Sequence, residues 1–159
     1  MIDVDHEDAI LRTFIVFVQS ARIVLKYVDA HLYRKGRLST IKLIVLRTLA
    51  SNNGSMKPSE IAEWTQTERN NITALVDRMR QDGLVTSERN SIDKRLVNIA
   101  LTDKGWDVLM QTTSVATEIV KQVMSSITER DASLLEKSLR VLRQNAHQGL
   151  EHVAEVEKS

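Results

Sequence analysis

The sequence contains no cysteine, which excludes disulfide scaffolding, thiolate metal sites and thiol-based redox sensing. One proline and five glycines in 159 residues leave few breakers, so long helices and few tight turns are expected. No stretch is long and apolar enough to span a bilayer: residues 10–28 come nearest, and Arg12, Gln19, Arg22 and Lys26 interrupt them. The first eight residues, Met1 to Asp8, are acidic and lack the basic segment of a signal peptide, so a cytoplasmic protein with no membrane partner is expected. Nor is there a surplus of one charge. The formal net charge is +1, so any case for a nucleic-acid partner rests on where the charges sit. Hydrophobic residues at 42% and charged residues at 27% give a globular balance, in a chain of single-domain size.

Apolar spacing gives the organisation. From about residue 8 to residue 32 the pattern is helical, but Ile10, Leu11, Phe14, Ile15, Phe17, Val18, Ile23, Val24, Leu25 and Val28 cover most of the circumference. A helix so apolar must be buried on more than one side, and in a short chain a second subunit is the obvious cover. Arg34, Lys35 and Arg37 around Gly36 close it. Ser39 or Thr40 is expected to cap a second helix through Ala50, with Ile41, Ile44, Val45, Leu46 and Leu49 inward. Asn52, Asn53, Gly54 and Ser55 break it, and Pro58 opens a short third helix with Ile61, Ala62 and Trp64 inward. After Thr65-Gln66-Thr67 a fourth helix runs from Arg69 to Gln81 and stops at Gly83. The period then changes to that of two strands, 84–88 and 95–101, joined by a polar connection as a hairpin. Thr102 caps a fifth helix carrying Val108, Leu109, Thr112, Val115, Ala116, Ile119, Val123 and Ile127, and Thr128 with Asp131 resembles a capping box. A sixth helix follows with Leu135, Leu139, Leu142, Ala146, Leu150 and Val153 in near-heptad register.

Two short helices joined by a tight turn and followed by a hairpin describe a winged helix-turn-helix, giving a mainly α fold (α+β) with long terminal helices. On the fourth helix Ile72, Leu75, Val76 and Met79 share one face, which must pack on the domain. The other face presents Asn70, Ala74 and Asp77, flanked by Thr67, Asn71, Thr73 and Arg78. Short amides and hydroxyls near a helix start suit base edges, because Asn pairs bidentately with adenine, while Arg69 can take phosphate or guanine. Arg89, Lys94 and Arg95 fall close together at the hairpin, where long cationic side chains can enter a narrow minor groove. Asp93 among them would repel phosphate if free, so it is expected to pair with a guanidinium and fix its direction. Residues 69–95 hold six cationic and four acidic side chains, a modest surplus that geometry must concentrate on one side.

The run from Leu75 to Val85, then Ser91-Ile92-Asp93-Lys94-Arg95 and Ile99-Ala100-Leu101-Thr102-Asp103-Lys104-Gly105, resembles the recognition-helix end, the wing and the start of the fifth helix in the MarR family (multiple antibiotic resistance regulators). The resemblance covers essentially the whole chain. It implies a homodimer whose first, fifth and sixth helices interlock, with residues 1–38 as an N-terminal dimerisation helix, 39–101 as the DNA-binding domain and 102–159 completing the dimerisation region. It also implies double-stranded DNA as partner, Arg95 in the minor groove, Asp93 orienting the wing, and the first half of the fourth helix in the major groove. The sequence departs from the family pattern at Thr65 and Thr67, where apolar residues are usual, at Glu68, where a small capping residue is common, and at Ala74, where many members carry arginine.

Other chemistry has little support. His6, His31, His147 and His152 are scattered, with no paired metal-binding spacing, so no metal and no cofactor is expected. No nucleophile elbow, P-loop or dinucleotide fingerprint occurs, so the reading is not of an enzyme. Phe14, Phe17, Tyr27, Trp64 and Trp106 are the aromatics that can line an effector pocket between winged domain and dimer helices, although plain packing accounts for any one of them more readily. By the resemblance, the effector is a small aromatic molecule and the protein a ligand-responsive repressor on a pseudo-palindromic operator. The competing reading is a winged-helix protein-interaction module that no longer binds DNA, for which an exposed apolar groove beside the fourth helix would speak.

Overall fold

The computed structural model describes residues 9–36, 38–89 and 97–156. The elements are α1 (Ala9–Gly36), α2 (Thr40–Ser51), β1 (Ser55–Met56), α3 (Pro58–Thr65), α4 (Arg69–Gln81), β2 (Val85–Arg89), β3 (Val97–Leu101), α5 (Asp103–Met124) and α6 (Glu129–Val156). They fall into two compact units, Met1–Val120 and Lys121–Ser159. The mainly α, winged helix-turn-helix architecture expected from the sequence is the one observed. Among the described residues no helix is long and apolar enough to cross a membrane.

The core of the first unit gathers one face from each short helix. Leu32, Leu38, Val45, Leu46, Leu49, Ile61, Ile72 and Met79 are fully buried there. Each such aliphatic side chain contributes about 1.5–3 kcal/mol by leaving water. Two residues assigned inward by spacing lie outside instead: Ile44 is 41% exposed and Trp64 is 65% exposed. Both sit at the edge of an apolar stripe, where periodicity alone does not fix which side a helix turns to its neighbours.

The start of α2 differs from expectation in a second way. Ser39 stands at the N-cap in extended conformation without a side-chain capping bond. The cap comes from α1, where Asp29 Oδ1 accepts the Thr40 N–H at 2.6 Å. A carboxylate at this position satisfies an orphan donor and complements the helix dipole, and it also pins α1 to the winged region.

The sheet has the order β1-β3-β2, antiparallel throughout. β2 pairs with β3 from Val85↔Leu101 to Arg89↔Val97, while β1 adds Ser55↔Ala100 and Met56↔Ile99. β1 was not expected, since two residues are too few for alternation to show. Asn53 and Gly54 at positive φ turn the chain from α2 into it, and Gly54 O accepts Leu101 N–H at 2.8 Å. Both hairpin strands begin and end within two residues of their expected limits.

A tight joint connects α4, β2 and α5. Gly83, at φ +72°, ends α4 with its N–H on Arg80 O and the Leu84 N–H on Met79 O, both at 2.9 Å. Gly83 O then accepts the Thr102 hydroxyl at 2.7 Å, and the Thr102 Oγ1 accepts the Gly105 N–H at 3.0 Å as cap of α5. Here α5 approaches so closely that a Cβ on Gly105 would lie 2.1 Å from Leu84 O.

In the second unit Thr128 caps α6 as expected, but the Asp131 carboxylate meets the Thr128 hydroxyl rather than the Thr128 backbone N–H, so half of the expected capping box is seen. The Thr128 hydroxyl donates to Asp131 Oδ2 at 2.7 Å and accepts the Asp131 N–H at 3.2 Å. Ile127 lies in the turn before it, beyond the end of α5. Within this unit Leu134, Leu135, Val141, Leu142, Leu150 and Val153 of α6 are exposed. In the first unit, Ile10, Leu11, Phe14, Val16, Ile23 and Leu25 of α1 are exposed as well.

Gly105→Ala is expected to lower the unfolding free energy by about 1–3 kcal/mol, because carbonyl backbone at Leu84 cannot yield to a methyl group. Urea denaturation checks it, and a variant as stable as the parent would contradict the close approach.

Candidate nucleic-acid interface

The helix-turn-helix is built by short-range hydrogen bonds. Pro58 opens α3, and Glu60 Oε2 accepts the Lys57 N–H at 3.0 Å. At the other end Gln66 adopts a left-handed conformation (φ +53°), and the N–H groups of Gln66 and Thr67 reach Glu63 O at 3.2 Å and Ala62 O at 3.0 Å. This closes α3 as a Schellman turn with glutamine where glycine is usual. Gln66 compensates by donating Nε2 to Glu63 O at 2.6 Å. The two threonines of the turn serve it by hydrogen bonding: the Thr65 hydroxyl donates to Ile61 O at 2.7 Å and that of Thr67 to Thr65 O at 3.2 Å. Thr67 is half-buried, so its hydroxyl holds the turn in the isolated chain.

α4 divides as its spacing requires. Ile72, Leu75, Val76 and Met79 are buried, which fixes the rotation of the helix about its axis. Arg69, Asn70, Asn71, Thr73, Ala74, Asp77 and Arg78 are exposed. Thr73 donates its hydroxyl to Arg69 O at 3.1 Å, and Arg78 Nε donates to Ala74 O at 3.2 Å. The side chains of Arg69, Asn70 and Asn71 have no partner among the described residues. Three polar side chains at one helix end are thus exposed and uncommitted.

Residues that sequence reasoning did not single out hold α4 in place. Lys42 Nζ meets Asp82 Oδ2 at 2.6 Å, Lys104 Nζ donates to Asp82 O at 2.7 Å, and Arg80 Nη1 donates to Ser87 Oγ at 3.2 Å. These tie the C-terminal end of α4 to α2, α5 and β2. The Thr102-x-x-Gly105 spacing was a visible signal for the α5 side of this joint; the reach of Lys42 over forty residues left none.

Arg89 is exposed at the last position of β2, opposite Val97. Asp93, Lys94 and Arg95 lie outside the described residues. The aromatic candidates are dispersed. Trp64 lines a cleft of about 340 Å³ with Ile44, Arg47, Thr48, Ser51 and Asn52, and none of the other four aromatics lines it. Trp106 stands beside Gly54, where a Cβ would be 3.5 Å from its ring. Tyr27 lies against His31 with ring centroids 4.2 Å apart, Phe17 is half-buried and Phe14 is exposed.

The two faces of α4 are expected to respond oppositely to truncation. Met79→Ala lowers the unfolding free energy by about 2–5 kcal/mol, whereas Asn70→Ala and Asn71→Ala change it by less than about 0.5 kcal/mol. Denaturation of the three variants side by side tests this.

Residues 32–97 match the model of the MarR family. The chain is 30% identical over 97 residues to the HTH-type transcriptional repressor MdtR of Bacillus subtilis (strain 168), an alignment covering 61% of this chain and 62% of that protein, less than two thirds of its length. Among solved structures it resembles the organohalide-sensing transcriptional regulator RdhR-CbdbA1625 in its 2,4-dichlorophenol-bound form, with a TM-score of 0.82 and 26% identity over 90% of this chain and 84% of that one. It also shares the fold of Sco3205, a MarR family transcriptional regulator from Streptomyces coelicolor solved in complex with DNA, with a TM-score of 0.81 and 22% identity over 91% and 92% of the two chains. α3, the turn, α4 and the start of the hairpin all lie inside the segment that matches the MarR family model, so this part of the chain is similar to the winged-helix domain of that family.

Proposed function

We propose that this protein is a sequence-specific DNA-binding transcriptional regulator, a cytoplasmic homodimer without catalytic activity that represses from a near-palindromic operator. The observation that carries this reading is α4. Its apolar face is buried, so Arg69, Asn70 and Asn71 are held outward with no partner among the described residues. No exposed apolar groove accompanies them on the helix, as a protein-binding module would need: the outward residues are polar apart from Ala74. MdtR is named a transcriptional repressor and Sco3205 was solved on DNA, which agrees with the same use of the fold.

In this reading the first half of α4 enters the major groove, Asn70 and Asn71 meet base edges, and Arg69 takes phosphate or guanine. Thr67 and Thr73 approach the adjoining backbone or bases. Arg89, Lys94 and Arg95 form the wing's cationic group, with Asp93 orienting a guanidinium toward the minor groove. The apolar residues exposed on α1 and on α6 are covered by the same residues of a second copy. Residues 1–38 and 102–159 thereby form the dimerisation region and 39–101 the DNA-binding domain, and two α4 helices are set about 34 Å apart, one turn of duplex.

A small aromatic effector releases the repressor by favouring a different separation of the two winged domains. RdhR-CbdbA1625 is described as sensing organohalides and was solved with 2,4-dichlorophenol. Phe14, Phe17, Tyr27, Trp64 and Trp106 are the candidate contacts here, and the cleft that Trp64 and Arg47 both line offers a ring and a cation to such a ligand.

Asn70→Ala and Arg95→Ala are each expected to weaken binding to the operator by about 1–3 kcal/mol, roughly five- to 150-fold, in fluorescence-anisotropy titrations. Unchanged affinity in both would refute the interface. Affinity is also expected to fall steeply with salt, and a flat profile would exclude phosphate engagement. Analytical ultracentrifugation is expected to give twice the chain mass, with Leu135→Asp/Leu142→Asp shifting it to the single chain; a stable monomer in the parent protein would remove the geometry on which two-fold recognition depends.

A further inference from the structure

We propose that Glu68 reads a base: its carboxylate accepts a hydrogen bond from the N4 amino group of a cytosine in each half-site. This rests on the DNA-binding reading above and goes beyond it in assigning a base to a residue.

Three acidic side chains lie between residues 68 and 82. Asp82 is held by Lys42 at 2.6 Å, and Asp77 lies 3.5 Å from Arg80. Glu68 is exposed, caps nothing with its side chain, and has no ion-pair or hydrogen-bond partner for its carboxylate among the described residues. Its position is nevertheless fixed. The Glu68 carbonyl accepts the Ile72 N–H at 3.0 Å as the first bond of α4, and Ile72 is buried. The Glu68 side chain is therefore rooted beside Arg69, Asn70 and Asn71, and its carboxylate is within reach of whatever that end of α4 approaches.

The helix dipole favours a carboxylate at that place in the free protein, but beside a duplex it is repelled by phosphates unless it finds a hydrogen-bond donor in the groove. The major groove offers two, the adenine N6 and cytosine N4 amino groups. Adenine places its N7 lone pair next to the amino group, and guanine and thymine present acceptors, all of which oppose a carboxylate that carries no proton. Cytosine shows a donor flanked on its own ring by C5–H rather than by an acceptor, the only adjacent acceptor being O6 of the paired guanine. A residue that only accepts thus favours cytosine and penalises the other three bases, whereas an Asn or Gln at the same place would favour adenine.

The test is selection of bound duplexes from a random pool by the full-length parent, Glu68→Ala and Glu68→Gln chains, followed by titration of the enriched site with each base at the affected position. The parent is expected to enrich a two-fold site with one cytosine per half-site preferred about tenfold or more. Glu68→Ala is expected to discriminate less than about threefold there, and to bind unselected duplex more tightly because a repelling charge is gone. Glu68→Gln is expected to move the preference toward adenine. A folding defect would lower both specific and non-specific binding, so the opposite signs separate base reading from damage. If Glu68→Ala keeps every base preference of the parent, the assignment is wrong while the DNA-binding reading stands. If the parent enriches no two-fold site, that reading falls and the assignment with it.

Discussion

Everything at the candidate interface depends on the close approach of α5 to the end of α4. The absence of a side chain at Gly105 lets the first turn of α5 rest against Leu84 O, and the Thr102 hydroxyl bridges Gly83 O to the Gly105 N–H. One short polar contact thereby fixes where α4 stops, where β2 starts and where α5 begins. Lys104 and Lys42 converge on Asp82 from α5 and α2, so the same point collects two cations at the helix C-terminus, where the dipole favours them. A helix anchored at its C-terminal end and along its apolar face can present its N-terminal residues without losing orientation.

That division of labour explains how a chain of net charge +1 can still suit a polyanion. Near the C-terminal end of α4 the charges are spent internally, Asp77 with Arg80 and Asp82 with Lys42. Near the N-terminal end Arg69, Asn70 and Asn71 are unspent. Specific recognition needs few charges and several directed hydrogen bonds, while long-range attraction needs many charges. On the proposed reading this protein leans toward the former, with the wing supplying most of the cation density.

The exposed apolar residues on α1 and on α6 set the other constraint. Ile10, at 76% exposure, and Leu150, at 67%, belong to series of exposed apolar residues along their helices, and contiguous patches of that kind mark interaction surfaces. On the proposed reading a second copy covers them, because a two-fold axis matches each face with itself and would deliver two α4 helices to one duplex. Asp29, capping α2 from α1, makes a direct mechanical connection between the helix that would sit in such an interface and the winged region. α1 and α2 are thus joined by a hydrogen bond as well as by the chain between them.

Local patterning determined most of the elements. The 3.6 period gave six helices, the inward face of α4 and the Thr128–Asp131 cap, because each depends on residues within one or two turns. The change to a period of two gave β2 and β3, and the run through Thr102 to Gly105 carried the family resemblance. What only the tertiary structure decided are the features made by distant partners. Asp29 rather than Ser39 caps α2, Lys42 clasps Asp82, two residues join the sheet as β1, and Trp64 with Ile44 turns outward to flank a cleft instead of entering the core. Periodicity states which side chains share a face. Which neighbour that face meets, and which polar group reaches across to cap it, follows from packing between segments far apart in the chain.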